Sequence, residues 1–203
     1  MLALAATALL ATTPVEYSKE QVETERAMRS YFDGEFKEAF WWGGAGLVSV
    51  GLGTGFLIGG DPTLRAMAVP LLAFGLVEWI LAIGLWARTP GQVRGLGDQL
   101  AQDPRAFHQK EGARMRRVNA NFVLYRLVEL AIFFGGATLA GLGWTYNLSG
   151  AVGVGLGLSV EAAVFLLLDL FAHRRGEQWE RALDAFGFTL AAPVAVSGQP
   201  RLR

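Results

Sequence analysis

Four ionisable residues lie within otherwise apolar stretches of the sequence, and their side chains are the ones best suited to chemistry there. An unpaired charge at the centre of a bilayer costs about 2.5–3.5 kcal/mol on insertion scales, so such residues are usually paired or functional. Neighbouring carboxylates hold a proton or a cation readily, because their negative charges repel each other. We therefore predict a site for a proton, a cation or a small polar ligand at Glu78, Arg126, Glu129 and Glu161.

A structural interpretation of the same residues stays open. Arg126 and Glu129 are three positions apart, so they share a helix face and can pair. A salt-bridge network around this Arg would fix the register of the helices without binding anything. The first interpretation makes the chain a small carrier, channel or ligand-binding protein, and the second makes it a structural or accessory membrane subunit with no ligand of its own.

The stretches that contain these residues are long enough to cross a membrane. A helix needs about 20 apolar residues to do so. Hydrophobic residues make up 52% and charged residues only 18% of the 203 positions. Too little polar chain remains to cover such helices in water, so we predict an all-α, polytopic, integral membrane four-helix bundle. Its predicted spans are residues 39–60, 66–87, 118–144 and 148–168.

Basic residues are distributed unevenly between the two faces. All 18 Lys and Arg residues lie on the face that carries both termini, except Arg65 between the first two spans and Arg126 inside the third. The positive-inside rule therefore places both termini in the cytoplasm, and we predict a cytoplasmic (inner) membrane. Residues 1–13, "MLALAATALLATT", resemble the apolar part of a signal peptide. No basic residue precedes them, so we expect a retained tail, with a cleaved signal as the alternative.

Two short patterns occur twice. "AFWWGGAGL" at 39–47 is followed 92 positions later by "AIFFGGATL" at 131–139, and a Val-Glu pair occurs at both Glu78 and Glu161. A duplicated pair of spans begins and ends on the same face, so both copies insert the same way up. We predict two tandem transmembrane hairpins, related by rotation about the membrane normal.

This interpretation divides the chain into five parts. We predict an N-terminal tail, two hairpins separated by a cytoplasmic connector, and an amphipathic segment with a disordered C-terminal tail. "RTPG" at the start of the connector favours a turn, and Pro104 breaks any single helix within it. Trp179, Leu183 and Phe186 recur at helical spacing, which predicts a short amphipathic helix beside the inner membrane surface. In order, the parts are residues 1–29, 30–88, 89–117, 118–175 and 176–203.

Gly residues recur every fourth position within two of the spans. Such small faces let helix backbones approach closely where lipid supplies no hydrophobic drive. We expect them to pack helices within the bundle, with packing between subunits as the alternative. They are Gly51, Gly55 and Gly59 in the first span and Gly153 and Gly157 in the fourth.

Several classes of chemistry have no support in the sequence. The absence of Cys excludes disulfides, thiolate metal sites and Cys nucleophiles. Asp169 and His173 have a spacing compatible with a metal, but no third ligand completes the set. Catalytic and nucleotide-binding motifs are missing as well, so we predict no enzyme activity, no cofactor and no metal. With a formal net charge of zero we expect no nucleic-acid partner. The expected partners are the lipid bilayer and a second copy or another membrane subunit.

Overall fold

The computed structural model describes residues 18–191, and nearly all of them are helical. The four helices confirm the all-α prediction. Two short turns and the single residue Asp103 connect them. The signal-like residues 1–13 and the C-terminal tail from residue 192 lie outside the described residues. The helices are α1 (Lys19–Gly59), α2 (Pro62–Gln102), α3 (Pro104–Thr145) and α4 (Ser149–Ala191).

Polar caps define where the helices begin. Ser18 forms a capping box with Gln21, which satisfies free backbone N–H groups at the start of α1. Asp61 and Asp103 cap α2 and α3, each directly before a Pro at the first helical position. The turn before α4 contains Asn147, whose φ of 55° lies in the left-handed region that Asn tolerates better than most residues.

The helices are much longer than a bilayer requires. A helix of 41 residues is about 62 Å long, roughly twice the hydrocarbon thickness of a membrane. All four are long and apolar enough to cross a membrane, which is typical of a membrane protein. Their apolar parts lie toward the end of the bundle that carries residues 60–61 and 146–148, here called the turn end. The opposite end, which carries Asp103, is called the connector end.

The connector end differs from the sequence prediction. Residues 89–117 are helical except for Asp103, and α2 continues through Pro90 rather than turning there. The amphipathic segment is the last part of α4, and its apolar residues face the other helices instead of a membrane surface. The helix persists past Pro90 because Val93, Leu96 and Leu100 pack against a common core.

That core is the most fully buried apolar cluster among the described residues. All four helices contribute to it, and Trp179 lies at its centre against Tyr31 and Phe107. The indole Nε1 of Trp179 donates a hydrogen bond of 2.9 Å to Glu111, so its one polar atom is satisfied. The cluster consists of Met28, Tyr31, Phe32, Leu100, Phe107, Met115, Trp179, Leu183 and Phe186.

Toward the turn end, α2 and α4 cross in direct contact between α1 and α3. Gly153 and Gly157 of α4 lie against Thr63, Met67 and Pro70 of α2, where a Cβ atom would have no space. The opposite face of α4 packs on α3 at Gly155. These small residues let α4 pack closely on two helices at once.

The Gly face predicted in α1 does not pack within the bundle. A Cβ atom on Gly51, Gly55 or Gly59 would meet no heavy atom within 4 Å. The α1–α2 contact uses Gly46 and Gly53 instead, which lie against backbone and side-chain atoms of α2. The sequence prediction therefore requires correction for α1, because the recurring Gly residues point away from α2 and α4.

Candidate functional site

Two carboxyl groups lie near each other in the middle of the apolar part of the bundle. Glu78 comes from α2 and Glu161 from α4, and both side chains have no solvent-exposed surface. None of their four carboxyl oxygens accepts a hydrogen bond at normal length from residues 18–191, although the hydroxyl of Ser49 on α1 lies nearby. The two groups are close enough for the charge of one to act on the other. We call these three residues the Glu78–Glu161 site.

Small residues let α1 and α2 pack closely against each other at the Glu78–Glu161 site. A Cβ atom on Gly46 would lie only 2.7 Å from the carbonyl oxygen of Gly75 and 3.1 Å from the Cβ of Glu78. On the other side, Gly75 lies against Ser49. With no Cβ at either Gly, α1 comes close enough to bring its Ser hydroxyl toward the carboxyl groups.

A groove opens beside this site toward the connector end. It has a volume of about 740 Å³, and all four helices line it. It opens sideways between α2 and α3, where Ile80 and Val128 are exposed. We call it the α2–α3 groove. Its charged lining residues are Glu35, Glu38, Arg88, Glu129, Asp169 and Arg175.

Two of these acids are paired with Arg side chains. Arg88 forms a salt bridge of 2.8 Å with Glu35, which also lies near the hydroxyl of Thr89. Arg175 pairs with Glu38 through a short contact, while the other carboxyl oxygen of Glu38 is buried without a partner. The two pairs lie at the end of the groove nearest the apolar core.

Glu129 and Asp169 form the second acidic pair of the molecule. Their carboxyl groups lie beside each other, one from α3 and one from α4. Within residues 18–191 neither has a basic partner at salt-bridge distance, and one oxygen of Glu129 is buried without a hydrogen-bond donor there. Arg126 is near enough to influence both charges, but it is exposed, and its guanidinium contacts Nδ1 of His173 at 2.9 Å.

The structure thus separates residues that the sequence grouped together. Glu78 and Glu161 meet, whereas Glu129 belongs to the neighbouring groove. Arg126 shares a helix with Glu129, as its spacing requires, but it contacts His173 in place of a carboxylate. Sequence analysis did not include Asp169 in the site, although it follows Glu161 by eight positions, about two helical turns.

Ser49 was also absent from the predicted site. A single Ser in an apolar stretch has no distinguishing pattern, because such hydroxyls commonly bond to the carbonyl group one turn earlier. Within residues 18–191, no group of three or more His, Asp or Glu side chains is arranged to hold a metal ion.

The comparisons with known proteins supply no relative. No protein-family model, no curated protein and no solved structure matches the chain.

Proposed function

We propose that the chain is an integral membrane protein that binds a proton or a small monovalent cation at the Glu78–Glu161 site. One observation carries this proposal: two fully buried carboxyl groups lie near each other, and within residues 18–191 the hydroxyl of Ser49 is the polar side-chain group that lies beside both of them. Buried polar groups in proteins are nearly always hydrogen-bonded, and buried charges are nearly always paired. A proton or a cation held between the two carboxyl groups satisfies this requirement.

Two occupants fit the chemistry of the pair. A proton shared between the carboxyl groups removes their repulsion and gives one of them a donor. A dehydrated monovalent cation between the oxygens does the same, with Ser49 as a further oxygen ligand. In both cases the site changes its charge when the occupant leaves, which is the property that a proton- or cation-handling membrane protein needs.

Infrared difference spectroscopy of the purified protein in detergent tests this directly. We expect a carbonyl band from protonated carboxyl groups that weakens when Na⁺ or K⁺ is added or when the pH is raised. The double variant Glu78→Gln/Glu161→Gln should lose this change, since an amide cannot take up charge. The variant Glu177→Gln, at an exposed position of α4, should keep it. An unchanged difference band in the double variant would contradict the proposal.

A structural or accessory role is the alternative, and the open Gly face of α1 favours it. Gly51, Gly55 and Gly59 have no neighbour within the described chain, and such faces commonly pack against another helix. This alternative predicts that the double Gln variant folds, assembles and works in its host as the wild type does. Loss of activity with normal folding would exclude it.

We further infer that the chain lies in a cytoplasmic membrane with both termini inside, as two tandem hairpins inserted the same way up. The inference is supported by the uneven distribution of Lys and Arg and by the doubled sequence patterns. Reporter domains fused at Gly97 and at the C-terminus should both report a cytoplasmic position. A reporter at Asp61, in the turn between α1 and α2, should report the opposite face. A Gly97 fusion on the outer face would contradict the orientation. Opposite faces for the Gly97 and C-terminal fusions would contradict the parallel repeat.

A further inference from the structure

We propose that the α2–α3 groove binds an organic cation with an apolar body, which enters sideways from the lipid. This site is separate from the Glu78–Glu161 site and does not depend on it. The groove has the size of a small-molecule pocket, since such pockets are commonly about 300–1,000 Å³ and this one is about 740 Å³.

The lining of the groove is amphipathic along its length. On α4 it extends from Ala162 to Arg175, a distance of about 20 Å along the helix axis. Trp42, Phe74 and Phe165 line the apolar part, whereas the charged side chains lie nearer the connector end. A ligand that fills this groove therefore needs an apolar body that carries a polar or charged group.

The charges of the lining select a positive polar group. Four carboxyl groups and two guanidinium groups line the groove, and each Arg is already paired with a Glu. Glu38 and Glu129 are more than nine-tenths buried, and each has a carboxyl oxygen with no partner. Asp169 adds a third carboxyl group beside Glu129. Arg126 offsets part of this charge from outside the groove, since it contacts His173.

Aromatic rings strengthen the preference for a cation. The ring of Phe165 contacts Trp42 at a centroid distance of 4.8 Å and Phe74 at 5.5 Å. The face of such a ring stabilises a cation, by about 0.5–1 kcal/mol at exposed sites and by about 2 kcal/mol or more where water is excluded. An anion would be repelled by the carboxyl groups of the lining, so the groove discriminates against it.

The groove opens toward lipid. α2 and α3 make little contact with each other compared with the other neighbouring helices, and apolar side chains such as Leu124 and Val128 on α3 are exposed at the edge of the groove. A ligand with an apolar body that is dissolved in the bilayer can therefore enter the groove without passing through the buried cluster around Trp179. A phospholipid acyl chain can enter by the same opening, and it is the competing occupant that the experiment must separate.

The test compares two ions of the same shape and opposite charge. Tetraphenylphosphonium should bind saturably to the full-length protein in lipid nanodiscs, and tetraphenylborate should neither bind there nor displace it. Glu129→Gln and Asp169→Asn should each weaken tetraphenylphosphonium binding about tenfold, because each removes one negative charge that attracts the bound cation. Asp184→Asn, at an exposed position of the same helix as Asp169, should bind as the wild type does.

A second variant keeps the test decisive where loss of a carboxylate also disturbs folding. Gly84 lines the groove, and a Cβ there would meet no atom within 4 Å, so Gly84→Phe fills the groove without removing a charge. The Gly84→Phe variant should fold and should no longer bind tetraphenylphosphonium. Equal binding of tetraphenylborate, or unchanged binding by Gly84→Phe, would overturn the proposal and favour a lipid occupant. Glu78→Gln/Glu161→Gln should retain tetraphenylphosphonium binding, so this proposal and the proposed function fail independently.

Discussion

Replacing Gly153 with Leu should destabilise the bundle by about 3 kcal/mol, the upper end of the usual cost of overpacking. A Cβ at this position would lie 2.8 Å from the backbone nitrogen of Met67 and 2.9 Å from the Cβ of Ala66, and closer still to the carbonyl oxygen of Thr63. These atoms belong to the backbone of α2 or are fixed directly to it, so they cannot move aside as the end of a long side chain can. The two helices must separate to admit the new side chain, which breaks their closest contact.

Thermal unfolding in detergent, followed by tryptophan fluorescence, measures this effect. For a chain of this size the expected fall in Tm is roughly 6–12 °C. Gly55→Leu is the matched control, because a Cβ there meets nothing within 4 Å and the variant should unfold near the wild-type temperature. A wild-type Tm for Gly153→Leu would contradict the α2–α4 contact. A large loss of stability for Gly55→Leu would show that the Gly face of α1 packs against a second subunit.

Comparison of the two Gly faces shows how far sequence spacing predicts packing. Both faces have Gly at every fourth position, so the sequence predicts a smooth face in each helix. The spacing of Gly residues within one helix does not predict whether their face packs against a neighbouring helix. Gly153 and Gly157 face α2, whereas Gly51 and Gly55 face outward. The orientation of α1 depends on Gly46, Gly53 and the residues opposite them, which a pattern within one helix does not reveal.

The apolar stretches were predictable because bilayer thickness alone sets their length. The charged halves of the helices were not, since their sequences contain Pro, Gly and many charges that are typical of loops. They remain helical because their sparse apolar residues, such as Phe107 and Leu183, meet in one core from separate parts of the chain. Tertiary packing of this kind overrides local preference and is invisible in any one segment.

For the acidic residues, too, the sequence predicted one property and the structure was needed for another. Of the four residues in the predicted site, Glu78, Glu129 and Glu161 are buried, whereas Arg126 is exposed. The assignment of partners needed the structure, because the rotation of each helix decides which side chains meet. Asp169 meets Glu129 across two helices, and Arg126 reaches His173, a pairing of two positions that are 47 residues apart.

Replacing Trp179 with Ala should cost about 3–5 kcal/mol, the range for removing a large aromatic side chain from a packed core. Only 2% of this residue is exposed, and its ring packs on Tyr31 and Phe107. The substitution also removes the donor that Nε1 supplies to Glu111, which then keeps only its bonds from Arg114. The cavity is lined by side chains of different helices, so the site cannot collapse without moving whole helices.

Two further variants identify the origin of that loss in the same thermal measurement. Trp179→Phe keeps most of the ring but not the donor, and it should cost about 1–2 kcal/mol. Trp41→Ala removes an indole that is 70% exposed on α1 and should change the stability of the detergent-solubilised protein little. The sequence prediction of a helix lying on the membrane surface makes the opposite forecast, since Trp179 would then anchor in lipid headgroups and contribute little to folding. Equal stability of Trp179→Ala and Trp41→Ala would therefore restore that prediction and show that the connector end does not fold around a common core.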